Sequence, residues 1–161
     1  MTTRNTKTLI SSIALAGALS LATLSPAMAG NLTTDSLLLH GGKGELNQLA
    51  EKNIAAGKYE KALKYLKKAS KKPMDGTMRS RVYSDICAVQ ALNENYDDAL
   101  ESCDKSLGYD DKNWKALNNK GVALTALDRK ENAHKILSRA LEMSGENKIV
   151  LANHIQSADN M

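Results

Sequence analysis

Residues 43–161 predict an all-α fold, a stack of antiparallel helical hairpins, on three observations. Small residues recur in register: Ala62, Ala99 and Ala133 stand 37 and 34 residues apart, and the sets Ala69, Ser106, Ala140 and Ala50, Cys87, Gly121 keep the same steps. A period near 34 with small residues at fixed places marks stacked helical hairpins. The chain of 161 residues has no phenylalanine, one tryptophan and five tyrosines. That is little material for one thick core, but enough for thin layers that each touch only their neighbours. Turn-forming pairs also recur with the period, at Gly57-Lys58, Glu94-Asn95 and Asp128-Arg129.

Residues 1–29 read as a cleaved signal peptide. Arg4 and Lys7 make a basic start, Leu9–Leu24 is mainly apolar and uncharged, and Ser25-Pro26-Ala27-Met28-Ala29 offers small residues before Gly30. The apolar run is short and interrupted by serine and glycine, so it is weak as a membrane span. The expected location is therefore periplasmic or secreted, in a bacterium. Residues 30–42 carry little pattern beyond Leu37-Leu38-Leu39, broken by Gly41-Gly42, and are expected to form a flexible N-terminal arm.

Three 34-residue units follow over 43–147, at 43–76, 80–113 and 114–147, with Thr77, Met78 and Arg79 inserted after the first. Asn95 and Asp128 are expected helix N-caps, the latter in a capping box with Glu131. Gly108 and Gly145 are expected C-caps, and Pro73 closes the first unit. Residues 148–161 form the capping helix and tail, because the last unit of a stack exposes an apolar face that needs cover.

Gly57-Lys58-Tyr59-Glu60-Lys61-Ala62-Leu63, Asn95-Tyr96-Asp97-Asp98-Ala99-Leu100 and Asn118-Asn119-Lys120-Gly121-Val122-Ala123-Leu124 with Asn132-Ala133 resemble the tetratricopeptide repeat (TPR) family, in an exported bacterial form. The resemblance implies a right-handed TPR-like solenoid of three helical hairpins plus a C-terminal capping helix. It also implies a concave groove lined by the first helix of each unit. Carried onto this chain, the partner-binding residues are Asn47, Glu51, Arg81, Ser84, Ala88, Lys115, Asn118, Val122 and Thr125, beside Gly44, Ile54 and Ala91. Their polar row suits the main chain of an extended peptide, or a partner helix. Some TPR proteins hold a C-terminal carboxylate with a Lys/Asn/Arg clamp; here Glu51 and Asp85 stand in that place and only Lys115 matches.

Cys87 and Cys103 lie eight residues either side of Asn95, at one height of a hairpin about 12 Å from its turn. An even cysteine count in an exported chain points to a disulfide; the alternative is two buried thiols. The histidines are scattered, no zinc spacing or phosphate loop occurs, and no serine sits in a nucleophile elbow. No enzyme and no cofactor are expected.

Charge is unevenly spread. Residues 43–81 hold 11 basic and 4 acidic residues, and residues 82–113 hold 2 basic and 8 acidic. Two functional expectations follow: a non-enzymatic adaptor whose groove binds a peptide or helix of another envelope protein, or a structural protein whose basic first unit meets anionic envelope polymer, membrane or another copy. The second would use Lys61, Lys64, Lys67, Lys68, Lys71 and Lys72. Nucleic acid is not an expected partner, and no transmembrane segment is expected after signal cleavage.

Overall fold

The computed structural model describes residues 35–159. The expected signal peptide and the start of the arm lie outside the described residues. Among the described residues seven helices follow in order: α1 Glu45–Ala55, α2 Tyr59–Ala69, α3 Gly76–Leu92, α4 Tyr96–Tyr109, α5 Trp114–Ala126, α6 Lys130–Ser144 and α7 Lys148–Asp159. Helices α1/α2, α3/α4 and α5/α6 pair as hairpins, and α7 packs on α6 and α5. The result is an all-α, TPR-like solenoid of three hairpins closed by a capping helix.

The recurring small residues sit in the seams. Ala62, Ala99, Ala133, Cys87 and Ala140 are fully buried. At Gly121 the reason is steric: a Cβ there would land on the Leu137 side chain across the α5/α6 hairpin. Around them the core divides into layers. Ala50, Leu66, Val82 and Ile86 fill the first, Cys87, Ala88, Ala99 and Val122 the second, and Leu117, Ala140 and Val150 the third.

The hairpin turns share one geometry. Gly57, Glu94 and Asp128 are one repeat apart, and each takes a left-handed φ of 67°, 61° and 56°. Asp128 is therefore the turn residue rather than the expected cap; Arg129 holds the N-cap position of α6, and no side chain caps that helix. Asn95 does hold the N-cap place of α4, without a side-chain bond. Gly145 ends α6 in the left-handed conformation as expected, whereas Gly108 lies inside the last turn of α4. The inserted Thr77-Met78-Arg79 is absorbed as an added first turn of α3, capped by Asp75, whose carboxylate accepts from the Met78 N–H at 2.7 Å.

Cys87 on α3 and Cys103 on α4 form a disulfide, with Cα atoms 5.2 Å apart. The bond ties the middle hairpin at the height where the sequence places both cysteines.

Candidate functional site

Helices α3, α5 and α7 lie side by side and present a face of small and polar side chains. Along it runs residues 36–42 of the chain itself, so the described part of the expected flexible arm is not loose. Three leucines explain why. Leu37 is buried in the second core layer, Leu38 packs at the third, and Leu39 touches the first and second.

The polar contacts go to the arm's main chain. Asn118 Nδ2 and Asn153 Nδ2 both donate to the Ser36 carbonyl, at 3.0 and 2.9 Å. Asn119 makes a pair with Leu38: its Oδ1 accepts from the Leu38 N–H and its Nδ2 donates to the Leu38 carbonyl, each at 2.8 Å. Lys115 Nζ donates to the Leu39 carbonyl at 2.8 Å. Asp85 Oδ1 accepts from the His40 N–H at 2.6 Å, and Glu51 Oε1 from the Gly42 N–H at 3.0 Å. Donors thus face the carbonyls of 36–39 and carboxylates face the N–H groups of 40–42. This polarity is the reverse of a carboxylate clamp at the Asp85/Glu51 end, which accounts for acidic residues standing there.

The site's electrostatics follow from burial. Burial pushes the Asp85 carboxyl up to about 7, against the opposing pull of the His40 N–H, Lys115 and the Gly41 N–H. Burial first, and the Lys115 charge next, hold His40 down at about 4, while its Nε2 contact with Asn113 Oδ1 at 3.0 Å works the other way.

Of the sequence-derived groove residues, Lys115, Asn118 and Glu51 contact the arm directly. Ala88 and Val122 share the apolar layer that receives Leu37. Ser84 is fully buried on the floor, and its Oγ has no hydrogen-bond partner among the described residues. Asn47 backs Gly42 closely enough that a Cβ on that glycine would strike it. Arg81 stays exposed at the lip, its charge felt by His40. Thr125 bonds its own helix at the Gly121 carbonyl and does not join the arm contacts. Asn119 and Asn153 were not among the expected site residues. The repeat carries a signal for each: Asn119 is 34 residues after Asp85, and Asn153 is 34 after Asn119, so α7 stands in register with the first helices of the units as well as capping the stack.

On α2, Lys61, Lys64, Lys67 and Lys68 are exposed, as are Lys71 and Lys72 just beyond its end. A shallow cleft of about 480 Å³ opens there, between Leu63, Lys64, Lys67, Lys68 and Lys71 on one side and Asn93 and Asn95 on the other. No helix among the described residues is long and apolar enough to cross a membrane.

The layered hairpins and the concave face together define a TPR-like solenoid. No family model matches the chain, and no curated protein matches its sequence. Solved structures do. The first TPR domain of the human RPAP3 protein is 20% identical with a TM-score of 0.65, covering 71% of this chain and 88% of that one. The Arabidopsis OM64 TPR domain is 20% identical with a TM-score of 0.63, over 72% and 93%. The second TPR domain of human RPAP3, in complex with the HSP70 peptide SGPTIEEVD, is 18% identical with a TM-score of 0.62, over 70% and 92%. These likenesses establish the fold as TPR-like.

Proposed function

We propose that this chain is a non-enzymatic adaptor of the bacterial periplasm whose concave groove binds an extended segment of another envelope protein. The observation that carries this reading is the arm: side chains of α1, α3, α5 and α7 already hydrogen-bond the main chain of a non-helical segment at Ser36, Leu38, Leu39, His40 and Gly42. Main-chain contacts supply affinity, and side-chain pockets supply selectivity. The HSP70 peptide in complex with the second RPAP3 TPR domain supports peptide binding by this fold. The signal-like residues 1–29 support export, and the Cys87–Cys103 disulfide suits an oxidising compartment.

The test is capture of partners by the mature protein from an envelope fraction of its own source at moderate salt, with and without excess synthetic peptide of residues 35–42. A partner retained at that salt and displaced by the peptide supports the groove. A partner that the peptide does not displace places binding elsewhere and overturns the reading.

A second reading rests on the exposed lysine helix and its cleft: contact with anionic envelope polymer or membrane. Such binding collapses with salt, because the Debye length falls from about 30 Å at low ionic strength to about 8 Å at physiological strength.

A further inference from the structure

We propose that residues 36–42 are an exchangeable occupant of the groove, a self-ligand that a partner must displace, and that they define its ligand class: a non-helical segment with one aliphatic anchor at the Leu37 place. This rests on the groove being the working surface, and it adds both a specificity and a regulation.

Four observations lead there. The groove reads the arm mainly through backbone atoms, so any segment that can follow the same non-helical path can make most of the same bonds, and Leu37 is the side chain sealed between α3 and α5. The arm joins the solenoid through Gly41 and Gly42; Gly41 has a left-handed φ of 65°, and Gly42 lies where Asn47 leaves no room for a Cβ. The two glycines let the chain turn out of the groove into α1, a swivel at the arm's attached end. The hairpins close on one another through their own seams, so the helices keep their mutual packing when the arm leaves.

The fourth observation sets the direction of exchange. Asn118, Asn119 and Asp85 are almost wholly buried beneath the arm. Bare, they exchange their bonds to Ser36, Leu38 and His40 for bonds to water while the Asn118–Asn153 and Asn119–Ser84 contacts stay, so a segment that reproduces those main-chain bonds can take the arm's place. Among the described residues, the self-ligand also leaves Ser84 Oγ and Asn47 Oδ1 unmatched. A partner segment that meets either group gains about tenfold over the arm's own sequence. Against this, the tethered arm acts at a high effective concentration, so a partner must match its anchor well to compete.

Two measurements on the full mature chain test this. In native-state hydrogen exchange, the Leu38, His40 and Gly42 amides should exchange at least about 100-fold faster than the α3 and α5 core amides, through an opening that leaves the helices intact. Exchange of the arm only with global unfolding would make it a fixed element of the fold and overturn the proposal. In the second measurement, labelled peptide 35–42 is titrated into the wild-type chain and into Leu37→Asp, whose own arm is weakened. The variant should bind the peptide at least tenfold more tightly, and a peptide carrying the same Leu37→Asp change should fail to bind. Equal binding by both chains, or no binding to a folded variant, overturns the proposal. A concentration-dependent wild-type dimer that Leu37→Asp abolishes would assign the arm to a neighbouring copy's groove, which also overturns the intramolecular occupant. If the variant does not fold, the exchange measurement decides alone. Failure to find an envelope partner leaves both results untouched, so the two readings fail separately.

Discussion

Asp85 and His40 make opposing demands on pH, and separating them is a sharp test of the docked arm. Asp85 rises from 3.8 to about 7 in the folded chain. Its raised value means that the folded state binds the proton more tightly, so this contribution to stability is complete below about pH 4 and is lost as pH climbs to about 7. The full span is worth up to about 4 kcal/mol. His40 falls from 6.5 to about 4, so its contribution is complete above pH 6.5 and is lost as pH falls toward 4. It is worth less than about 3 kcal/mol, since the ring keeps some contact with water. Over the shared window the folded chain carries one proton on Asp85 and the unfolded chain carries one on His40. The two slopes cancel in the wild-type protein. The groups facing them are Lys115, Glu51, Arg81 and Asp110, and these stay in place in both variants below. His40→Gln leaves Asp85 alone, so stability relative to wild type should fall as pH rises through the window. Asp85→Asn leaves His40 alone, so relative stability should fall as pH drops. Each unmasked slope approaches about 1.4 kcal/mol per pH unit. Urea unfolding at about pH 4.5, 5.5 and 6.5 at constant ionic strength measures the differences. Two variants whose curves run parallel to wild type would refute the burial of this pair under the arm.

Other consequences are read by simpler means. Reducing Cys87–Cys103, which closes a loop of sequence separation 16, should lower stability by about 3 kcal/mol on the chain-entropy treatment, seen as a lower urea midpoint with reductant. A shift well under 1 kcal/mol would mean that the middle hairpin does not depend on the bond. Gly121→Ala should destabilise by about 1–2 kcal/mol, because overpacking on Leu137 outweighs the roughly 1 kcal/mol gained in helix propensity; a stabilised variant would contradict the tight α5/α6 seam. Asn119→Ala removes both bonds to the Leu38 main chain and should raise exchange of the Leu38 amide by about 10- to 100-fold while α3 core amides change little. An unchanged Leu38 rate would show that the pair does not hold the arm.

The fold was legible because its cause is periodic. Helices in a hairpin must approach closely once per unit, so Ala62, Ala99 and Ala133 announce the seams at a fixed step. The added turn of α3 was harder to read, since Thr77-Met78-Arg79 interrupts the step without interrupting the helix. Asp128 carries the side chain of a cap but stands at the left-handed turn position shared with Gly57 and Glu94, a role visible only when the three turns are aligned. The arm contacts were legible only in part. Asn118, Lys115 and Glu51 follow from their places in the repeat, whereas the occupant does not. Asp35–Gly42 has no period, and the groove holds it chiefly by bonds to backbone atoms, which leave no mark on the segment's own side chains. Its Leu37-Leu38-Leu39 run was the trace it left, three apolar residues in a stretch otherwise expected to be solvated. Asn153 was hidden because α7 reads first as a cap, though one repeat step of 34 from Asn119 places it beside the arm.

The most direct test of the proposed groove against the lysine-rich surface of the first hairpin is site-specific photo-crosslinking in an envelope fraction of the chain's own source. One chain carries the crosslinker at Arg81, exposed at the groove lip, and a second carries it at Lys64, exposed on the lysine helix. The account predicts a discrete partner adduct from Arg81 that fades when peptide 35–42 is added to the isolated envelope before illumination, and no matching adduct from Lys64. An adduct from Lys64 alone, or an Arg81 adduct indifferent to the peptide, would contradict it.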